Sequence, residues 1–282
     1  MLVQVSQLWR YPVKSMVGEM VGAAAIDGLG VVGDRTWAAR DLERGGIRGA
    51  KKIGGLMRFA ARSGPDGQVL IRLPDGTEIG TDHPQVDHMV SEALGHPVRL
   101  EALRPASDVE HYRRGAPDSD DVMVELRDIF GREGDEPIPD LSIFPPEIME
   151  FESPPGTYYD AFPLMVMTTS ALRTLTEALP DSVIDVRRFR PSMVIDTGDA
   201  TGHPEFDWIG RTATIGSASV RFRERCPRCV MITREIDQET PADRSILRHV
   251  VSELGQDVGI YAEVTSPGLV TVGDPLTFDP AA

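Results

Sequence analysis

The chain has 282 residues, with 44 acidic and 29 basic side chains and a net charge of −15 at neutral pH, which argues against a general nucleic-acid-binding protein. Its 41% hydrophobic content indicates a folded globular protein, and its longest apolar runs, such as residues 163–167, are far too short to cross a bilayer. Residues 1–15 lack the basic and apolar segments of a secretion signal, so we expect a cytoplasmic protein with no membrane partner.

The first part of the chain, residues 1–125, is rich in predicted strands. Residues 2–9 mix apolar and polar side chains as a half-buried strand does. Residues 68–80 predict a hairpin that turns at Asp75 and Gly76. Residues 83–97 predict a short helix, because apolar side chains between Val86 and Leu94 fall on one face and Gly95 ends the pattern.

Residues 107–157 form a segment rich in acidic residues and proline. This composition is typical of a solvated linker or surface insertion, and a lid over a site is the functional alternative. Two apolar stretches, residues 122–130 and 141–149, interrupt it. Because side chains such as Val122, Val124 and Phe130 would otherwise form an exposed apolar patch, we expect these stretches to dock near Asp160, with a mobile acidic loop at 132–138 between them.

The rest of the chain predicts both strands and helices. Residues 158–180 predict a turn, a buried strand and a helix, and residues 189–196 and 218–225 predict strands. Residues 240–255 predict a helix that Thr240 caps, with Pro241 in its first position and Gly255 at its end. The tail, residues 268–280, returns to strand. Many short strands with a few helices predict a mostly β fold of the α+β class.

The only two cysteines, Cys226 and Cys229, lie in the arginine-rich stretch RFRERCPRCVMITRE. Two thiols are too few for a disulfide scaffold or for an iron–sulfur cluster held by four thiolates. Three interpretations stay open on spacing alone: a structural pair, a redox dithiol and a thiolate metal ligand. Zinc is disfavoured because the six histidines show no ligand-type pairing. The neighbouring Arg225 and Arg228 favour a thiolate.

Two other groups of basic residues are candidates for binding a small anion. Arg188 and Arg190 stand two positions apart in a predicted strand, so their guanidinium groups would share one face and suit a phosphate. The alternative is a salt-bridged surface strand. Lys14 with Ser15, and Arg35 in the stretch GDRTW, fit either a phosphate clamp or ordinary turns.

Taken together, six segments resemble the MOSC family, named for the C-terminal domain of molybdenum cofactor sulfurase: LWRYPVKSMVGE, GDRTWAARD, YYDAFPLMVM, RRFRPSMVID, CPRCVMITRE and PGLVTVGDPL. The likeness is to two-domain members typified by the mitochondrial amidoxime-reducing component, and it covers nearly the whole chain except residues 107–157. It implies a MOSC β-barrel at 126–282 packed with an N-terminal β-barrel-like domain at 1–125. It also implies a molybdenum cofactor (molybdopterin with its metal) held between them.

The resemblance further implies which residues hold this cofactor. The second cysteine of the family motif, here Cys229, binds the molybdenum, while Cys226 matches a cysteine that is not a ligand. Asp160 matches an aspartate that lines the pterin, and the arginines beside the cysteines, Arg228 among them, would serve the anionic cofactor. Further matches to residues that reach the cofactor are Lys14, Ser15, Arg35 and Arg190.

The chain departs from the family pattern at three of the candidate cofactor-binding positions. Ala161 and Phe162 replace hydroxyl residues after the aspartate, so only their backbone groups would contribute, and Arg188 stands where asparagine is usual. Some bacterial relatives carry a fused iron–sulfur domain, for which this chain has no cysteines. The resemblance therefore implies a separate electron-donor protein, of the ferredoxin type or a flavin or haem reductase.

The activity that the resemblance implies is molybdenum-cofactor-dependent reduction of small N-hydroxylated compounds, such as amidoximes and hydroxylamines. The alternative is a non-catalytic carrier of the cofactor or of sulfur. A metal-free dithiol redox protein is a third hypothesis.

Overall fold

The computed structural model describes residues 3–144 and 150–280, and strands predominate in it. The strands are β1 (Gln4–Arg10), β2 (Glu19–Met20), β3 (Ala23–Asp27), β4 (Gly30–Val31), β5 (Trp37–Asp41), β6 (Ala60–Ser63), β7 (Val69–Arg72), β8 (Glu78–Gly80), β9 (Val98–Ala102), β10 (Leu164–Thr168), β11 (Met193–Asp196), β12 (Thr212–Ile215), β13 (Ala218–Pro227), β14 (Asp257–Ser266), β15 (Gly268–Thr271) and β16 (Leu276–Phe278).

The α-helices are α1 (Val86–Leu94), α2 (Val109–Tyr112), α3 (Val122–Phe130), α4 (Thr169–Ala178), α5 (Val186–Phe189) and α6 (Ser245–Glu253). Short 3₁₀ helices lie at Gly54–Arg58, Pro65–Gly67, Leu141–Ile143, Pro204–Trp208 and Val230–Thr233. Within the described ranges, no helix is both long enough and apolar enough to cross a membrane. The predicted mostly β fold with helices is confirmed.

The largest sheet has eight strands in the order β16-β12-β13-β14-β10-β11-β1-β2. Its neighbouring strands are antiparallel except β10 and β11, which are parallel and are joined through α4 and α5. The N-terminal strand β1 thus lies among strands from the second half of the chain, with Leu8 opposite Met193. Below the sheet lies an apolar core that includes Val166, Phe222 and Ile260, all with no exposed surface.

The strands of the N-terminal half also form three smaller sheets: β6-β7-β8, β5-β9 and, with β15 from the second half, β15-β3-β4. The last of these pairs a strand near the C-terminus with one near the N-terminus, with Leu269 opposite Ala25. A second core, which includes Leu56 and Ile71, also takes in Ile236 from the second half. The two halves therefore share a sheet and a core, and the domain limits of 1–125 and 126–282 stay a prediction.

The local predictions for the N-terminal half are confirmed. Strands β7 and β8 form the predicted hairpin, with Leu70 opposite Gly80. Helix α1 buries Val86 and Val90 on the predicted face. Gly95 ends the helix with a φ of 70°, a left-handed conformation that glycine adopts without steric penalty.

The strand predicted over residues 189–196 is wrong at its start. The chain forms α5 first, because Asp185 accepts a hydrogen bond from the Arg187 amide at 2.8 Å and caps the helix. Strand β11 begins only at Met193. Arg188 lies in the helix and Arg190 follows it with a φ of 58°, so the two arginines do not share the face of a strand.

The helix predicted over residues 240–255 begins later than expected, at Ser245. Its N-cap residue, Arg244, makes no capping hydrogen bond, and the Asp243 carboxylate accepts from the Ser245 amide at 2.9 Å. Thr240 is buried, and its hydroxyl oxygen accepts a hydrogen bond from Arg187 at 3.0 Å. The Pro241 carbonyl accepts another from Arg188 at 2.6 Å. These two arginines engage the polar groups that would otherwise begin the helix. The helix buries Ile246, Leu247, Val250 and Val251.

The described part of the acidic insertion makes contacts other than those that the sequence predicts. Its apolar stretch forms α3, but Val122 and Val124 remain 62% and 44% exposed, so the predicted docking of these side chains is wrong. Phe130, at the end of the helix, is half-buried. In the acidic loop that follows, Glu136 pairs with Arg248 of α6. Residues 145–149, part of the second apolar stretch, lie outside the described residues.

Candidate functional site

Lys14 and Asp160 meet where the two halves of the chain pack together. The Lys14 ammonium is buried and donates to Asp160 Oδ1 at 2.7 Å, to the Tyr158 carbonyl at 2.8 Å and to Ser153 Oγ at 3.1 Å. Lys51 Nζ lies 2.8 Å from the other Asp160 oxygen. Burial raises the pKa of the Asp160 carboxyl, but Lys14 and then Lys51 outweigh it and hold that pKa well below its usual value.

Arg190 lies against Tyr11, next to the Lys14 segment. Its guanidinium carbon is 4.2 Å from the centre of the Tyr11 ring, and its Nη1 donates to the Met16 carbonyl. Arg35 lies 5.9 Å from the same ring and pairs with Asp34. Burial, followed by repulsion from Arg35, lowers the pKa of Arg190 to about 10. Arg190 forms no ion pair with a carboxylate in the described ranges, so its charge is available to an anion.

The backbone of this cluster is held in an uncommon conformation. Five non-glycine residues of the described chain have a positive φ, and three of them are Ser15 (68°), Arg35 (48°) and Arg190 (58°). Such conformations are sterically disfavoured for residues with a Cβ, and they concentrate at functional sites. Gly49 lies so close to Ser15 that a Cβ there would be 2.6 Å from Oγ. The packing therefore fixes the position of Ser15 tightly.

The two cysteines occupy different environments. Cys226 lies near the end of β13 and is 4% exposed, and burial raises the pKa of its thiol. Arg228 donates to Cys226 Sγ at 3.0 Å and to the Phe189 carbonyl at 2.8 Å, while its buried Nε has no partner among the described residues. Cys229 is half-buried and directly precedes the 3₁₀ helix Val230–Thr233. Both cysteines are free.

Cys229 is surrounded by positive charge. Four cationic side chains interact electrostatically with it: Lys51, Arg132, Arg228 and Arg234. Lys51 connects the cysteine to Asp160, which it contacts at 2.8 Å. Burial opposes the charge on Lys51, but Asp160 and then Cys229 raise the pKa of its ammonium. The positive charge around Cys229 therefore favours an anion beside it.

The structure brings most of the predicted site residues together, and Arg188 is the exception. Ala161 is buried directly after Asp160, and Phe162 stacks on Tyr261 with 4.9 Å between the ring centres. Arg188 has no exposed surface, and its donors are engaged by backbone carbonyls at 2.6–3.3 Å, those of Val183, Ile232, Arg234 and Pro241. Its contacts hold loops together and leave no free donor group for a ligand.

Three residues at the site escaped the sequence analysis: Lys51, Arg132 and Arg234. Lys51 belongs to the pair of lysines in GAKKIGG, whose flanking glycines were a usable signal. Arg132 lies in the acidic insertion, where nothing in the sequence indicates that it returns to the cysteine. Within residues 3–144 and 150–280, no group of three or more histidine, cysteine, aspartate or glutamate side chains is arranged to hold a metal ion.

Comparisons with known proteins match both halves of the chain. The model of the MOSC N-terminal beta barrel domain matches residues 2–113, and the model of the MOSC domain matches residues 154–277. No curated protein sequence matches the chain.

Similar solved structures include the YuaD protein from Bacillus subtilis, which is 12% identical with a TM-score of 0.46 over 100% of this chain and 98% of that one. YiiM from Geobacillus stearothermophilus is 14% identical with a TM-score of 0.32, over 42% of this chain and 55% of YiiM. YiiM from Escherichia coli is 15% identical with a TM-score of 0.34, over 43% and 56%. The chain thus matches just over half the length of each YiiM protein.

Proposed function

Because the chain belongs to the two-domain MOSC family, we propose that it binds a molybdenum cofactor and uses it to reduce small N-hydroxylated compounds. The observation that carries this proposal is a pair of buried arginines, Arg228 near Cys229 and Arg190 against the Tyr11 ring. Arg190 and Arg228 are 4% and 5% exposed, and neither forms an ion pair with a carboxylate in the described part of the chain. A buried charge without a counter-charge is costly, and an anionic cofactor would supply one.

The residues present fit such a cofactor in three respects. The buried Nε of Arg228 lacks a partner in the described residues and can donate to an oxygen. Arg190 and Arg35 both lie within 6 Å of the Tyr11 ring centre, and guanidinium groups bind phosphate through paired donors. The half-buried Cys229 offers a thiolate, a ligand suited to a soft metal centre.

The proposed roles divide the site residues into three groups. Cys229 is the metal ligand, and Arg190, Arg35, Lys14 and Ser15 hold the polar and anionic parts of the cofactor. Asp160, Ala161 and Phe162 line the pterin, the last two through their backbone groups. Because Lys14 and Asp160 come from opposite halves of the chain, cofactor binding would also hold these halves together.

The proposed reaction converts an N–OH group to N–H. The N–O bond breaks, two electrons and two protons are taken up, and water leaves with the oxygen; when bound, the cofactor supplies this two-electron chemistry. The protein's residues position the cofactor and stabilise its charge. We propose that the electrons come from a separate donor protein, of the ferredoxin type or a flavin or haem reductase.

Metal analysis and an activity assay on the same preparation test this function. Protein from a host that makes molybdenum cofactor should contain close to one molybdenum per chain, and it should oxidise a reduced viologen dye when benzamidoxime is added. Molybdenum without turnover of benzamidoxime or a hydroxylamine would favour the carrier alternative. A preparation that lacks molybdenum but shows a reversible dithiol would overturn the proposal in favour of a redox protein.

A further inference from the structure

A cleft of about 450 Å³ opens beside the cysteine motif. Helix α3 and the loop after it form one wall, and α6 with the 3₁₀ helix Val230–Thr233 forms another. The packing between these walls is close, since a Cβ on Gly131 would lie 2.8 Å from the Leu247 side chain. Seven basic side chains line the cleft against three acidic ones: Lys51, Lys52, Arg127, Arg132, Arg234, Arg244 and Arg248 against Asp118, Asp128 and Glu133.

Four of these seven cations already have acidic partners. Lys51 pairs with Asp160 at 2.8 Å, and Lys52 pairs with Asp118 at 3.1 Å. Arg244 pairs with Glu133 at 3.2 Å, and Arg248 pairs with Glu136. The charges of these residues are therefore largely neutralised within the protein.

The other three, Arg127, Arg132 and Arg234, form no ion pair with a carboxylate in the described ranges. Arg127 donates to the Gly134 carbonyl at 2.7 Å, Arg132 to the Gln256 amide oxygen at 2.8 Å, and Arg234 to the Lys51 carbonyl at 3.2 Å. These contacts fix the guanidinium groups in place without cancelling their charge. Every guanidinium nitrogen of Arg132 already donates, to oxygens of Phe130, Pro137, Arg228 and Gln256, so Arg132 contributes charge only. Arg127 and Arg234 keep donors for the anion. In a chain with 44 acidic and 29 basic residues, three arginines without acidic partners in one cleft mark a site for an external anion.

The cleft lies beside the proposed reaction centre, because Val230, the residue directly after Cys229, lines it. Arg132 and Arg234 both interact electrostatically with Cys229. Arg234 also packs against the N-terminal half, because a Cβ on Gly54 would lie 2.8 Å from its Nε. An anion held by these arginines would therefore be close to the thiol.

One wall of the cleft lies outside the matched family domains. The two matched family domains cover residues 2–113 and 154–277, so Arg127 and Arg132 lie in the segment between them. The cleft is accordingly not built from the two matched domains alone.

We propose that this cleft binds a carboxylate or phosphate group carried by the substrate, so that the enzyme prefers N-hydroxylated compounds with a negative charge. This inference rests on the proposed function, because it assigns the substrate class of the same site. Guanidinium groups that are held in place bind such groups through charge-assisted hydrogen bonds, and the net negative charge elsewhere on the protein repels anions that do not reach the cleft.

Calorimetric titration of the cofactor-loaded protein tests the inference directly. The ligands are benzamidoxime, its 4-carboxy derivative and the corresponding 4-phosphonate, which share one N-hydroxyl group and differ in charge. At low salt we expect the charged ligands to bind at least about tenfold more tightly, the effect of one charge-assisted hydrogen bond, with the advantage reduced at high salt. The tighter of the two charged ligands identifies the anion, and equal affinity for all three would overturn the inference.

Variants of the cleft arginines test whether the charged ligands bind in this cleft. Arg127→Gln and Arg234→Gln keep hydrogen-bonding side chains but remove the charge, and each should reduce the preference about tenfold or more. Benzamidoxime binding should stay unchanged in Arg127→Gln, because Arg127 is not among the cations around Cys229. Arg173→Gln is the matched control, because this exposed arginine of α4 also donates to backbone carbonyls, those of Gly198 and Ala200, on another surface. If the control reduced the preference as much as the two cleft variants, the anion would not be bound in this cleft.

Turnover separates the two proposals. If the charged ligands bind more tightly but no N-hydroxylated compound is reduced, the anion site stands and the proposed function fails. If all three compounds are reduced with equal kcat/KM and bind equally, the function stands and the anion site fails.

Discussion

Lys14 and Asp160 form an ion pair across the packing of the two halves of the chain, with 2.7 Å between Nζ and Oδ1. The lysine side chain is 5% exposed and the aspartate side chain is 41% exposed. The pair therefore combines a buried cation with an anion that a ligand can still approach. It stabilises the fold and contributes to the proposed site at once.

Replacing Asp160 with asparagine should lower the stability of the cofactor-free protein, because the Lys14 ammonium stays buried without its counter-charge. Breaking a buried ion pair lowers the free energy of unfolding by roughly 3–5 kcal/mol, and because the Asp160 carboxylate is partly exposed we expect a loss of about 1–2 kcal/mol. Urea unfolding measures this loss. Glu78→Gln, which breaks the exposed pair with Arg62 at 2.9 Å, is the control and should have little effect. Equal effects of the two variants would contradict the role given to Lys14.

Substituting the two cysteines should have unequal effects on molybdenum content. Cys229→Ser removes the proposed thiolate ligand, so the metal-to-protein ratio should fall at least about tenfold with the fold intact. Cys226→Ser should retain most of the metal, since a serine hydroxyl can still accept the hydrogen bond from Arg228. Equal losses in both variants would instead favour a dithiol role.

The two arginines that the sequence placed together should behave differently. Arg190→Met should leave a folded protein with reduced cofactor content, by about tenfold if one charge-assisted hydrogen bond is lost. Arg188→Met should destabilise the fold by at least about 3 kcal/mol, because several carbonyls lose their donor. Thermal unfolding together with molybdenum analysis distinguishes the two outcomes. A stable Arg188→Met protein without cofactor would return Arg188 to the site.

Asp257 should make stability depend on pH in the acidic range. Burial raises the pKa of its carboxyl to about 6, against the opposing influence of Arg225, Arg228 and Arg132. The folded state therefore holds this proton more tightly than the unfolded chain, and the stability it contributes is lost as pH rises from about 4 to about 6. Asp257→Asn should accordingly gain stability relative to the parent protein over this window and keep that gain above it.

Denaturant unfolding at a series of pH values measures the gain. Asp181→Asn, at an exposed turn position, is the control and should track the parent protein at each pH. A constant difference between Asp257→Asn and the parent protein from pH 4 to pH 7 would contradict the assignment.

The sequence predicted those parts of the site that depend on short motifs. Lys14, Ser15, Arg35, Arg190 and Cys229 were named from segments of a few residues each, and the positive φ of three of them agrees with a special local role. Hairpin β7–β8 and helix α1 were predicted for a similar reason, because periodicity and turn residues act locally.

What the sequence missed depends on contacts between distant segments. Arg132 lies near Cys229 only because the insertion folds back onto α6. Thr240 looks like a helix cap, but Arg187 engages its hydroxyl from a remote position. Arg188 and Arg190 look alike in sequence, and only the structure shows that backbone carbonyls engage the first of them.

The placement of β1 has a consequence for how the protein is made. Its partner β11 and the segment around Asp274, whose carbonyl accepts from the Val5 amide at 2.9 Å, leave the ribosome much later than this strand does. Until then its open edge is available to other chains, and such edges promote aggregation. Chains that terminate early would keep this edge unpaired, so their overproduction should lead to insoluble protein that a chaperone must hold.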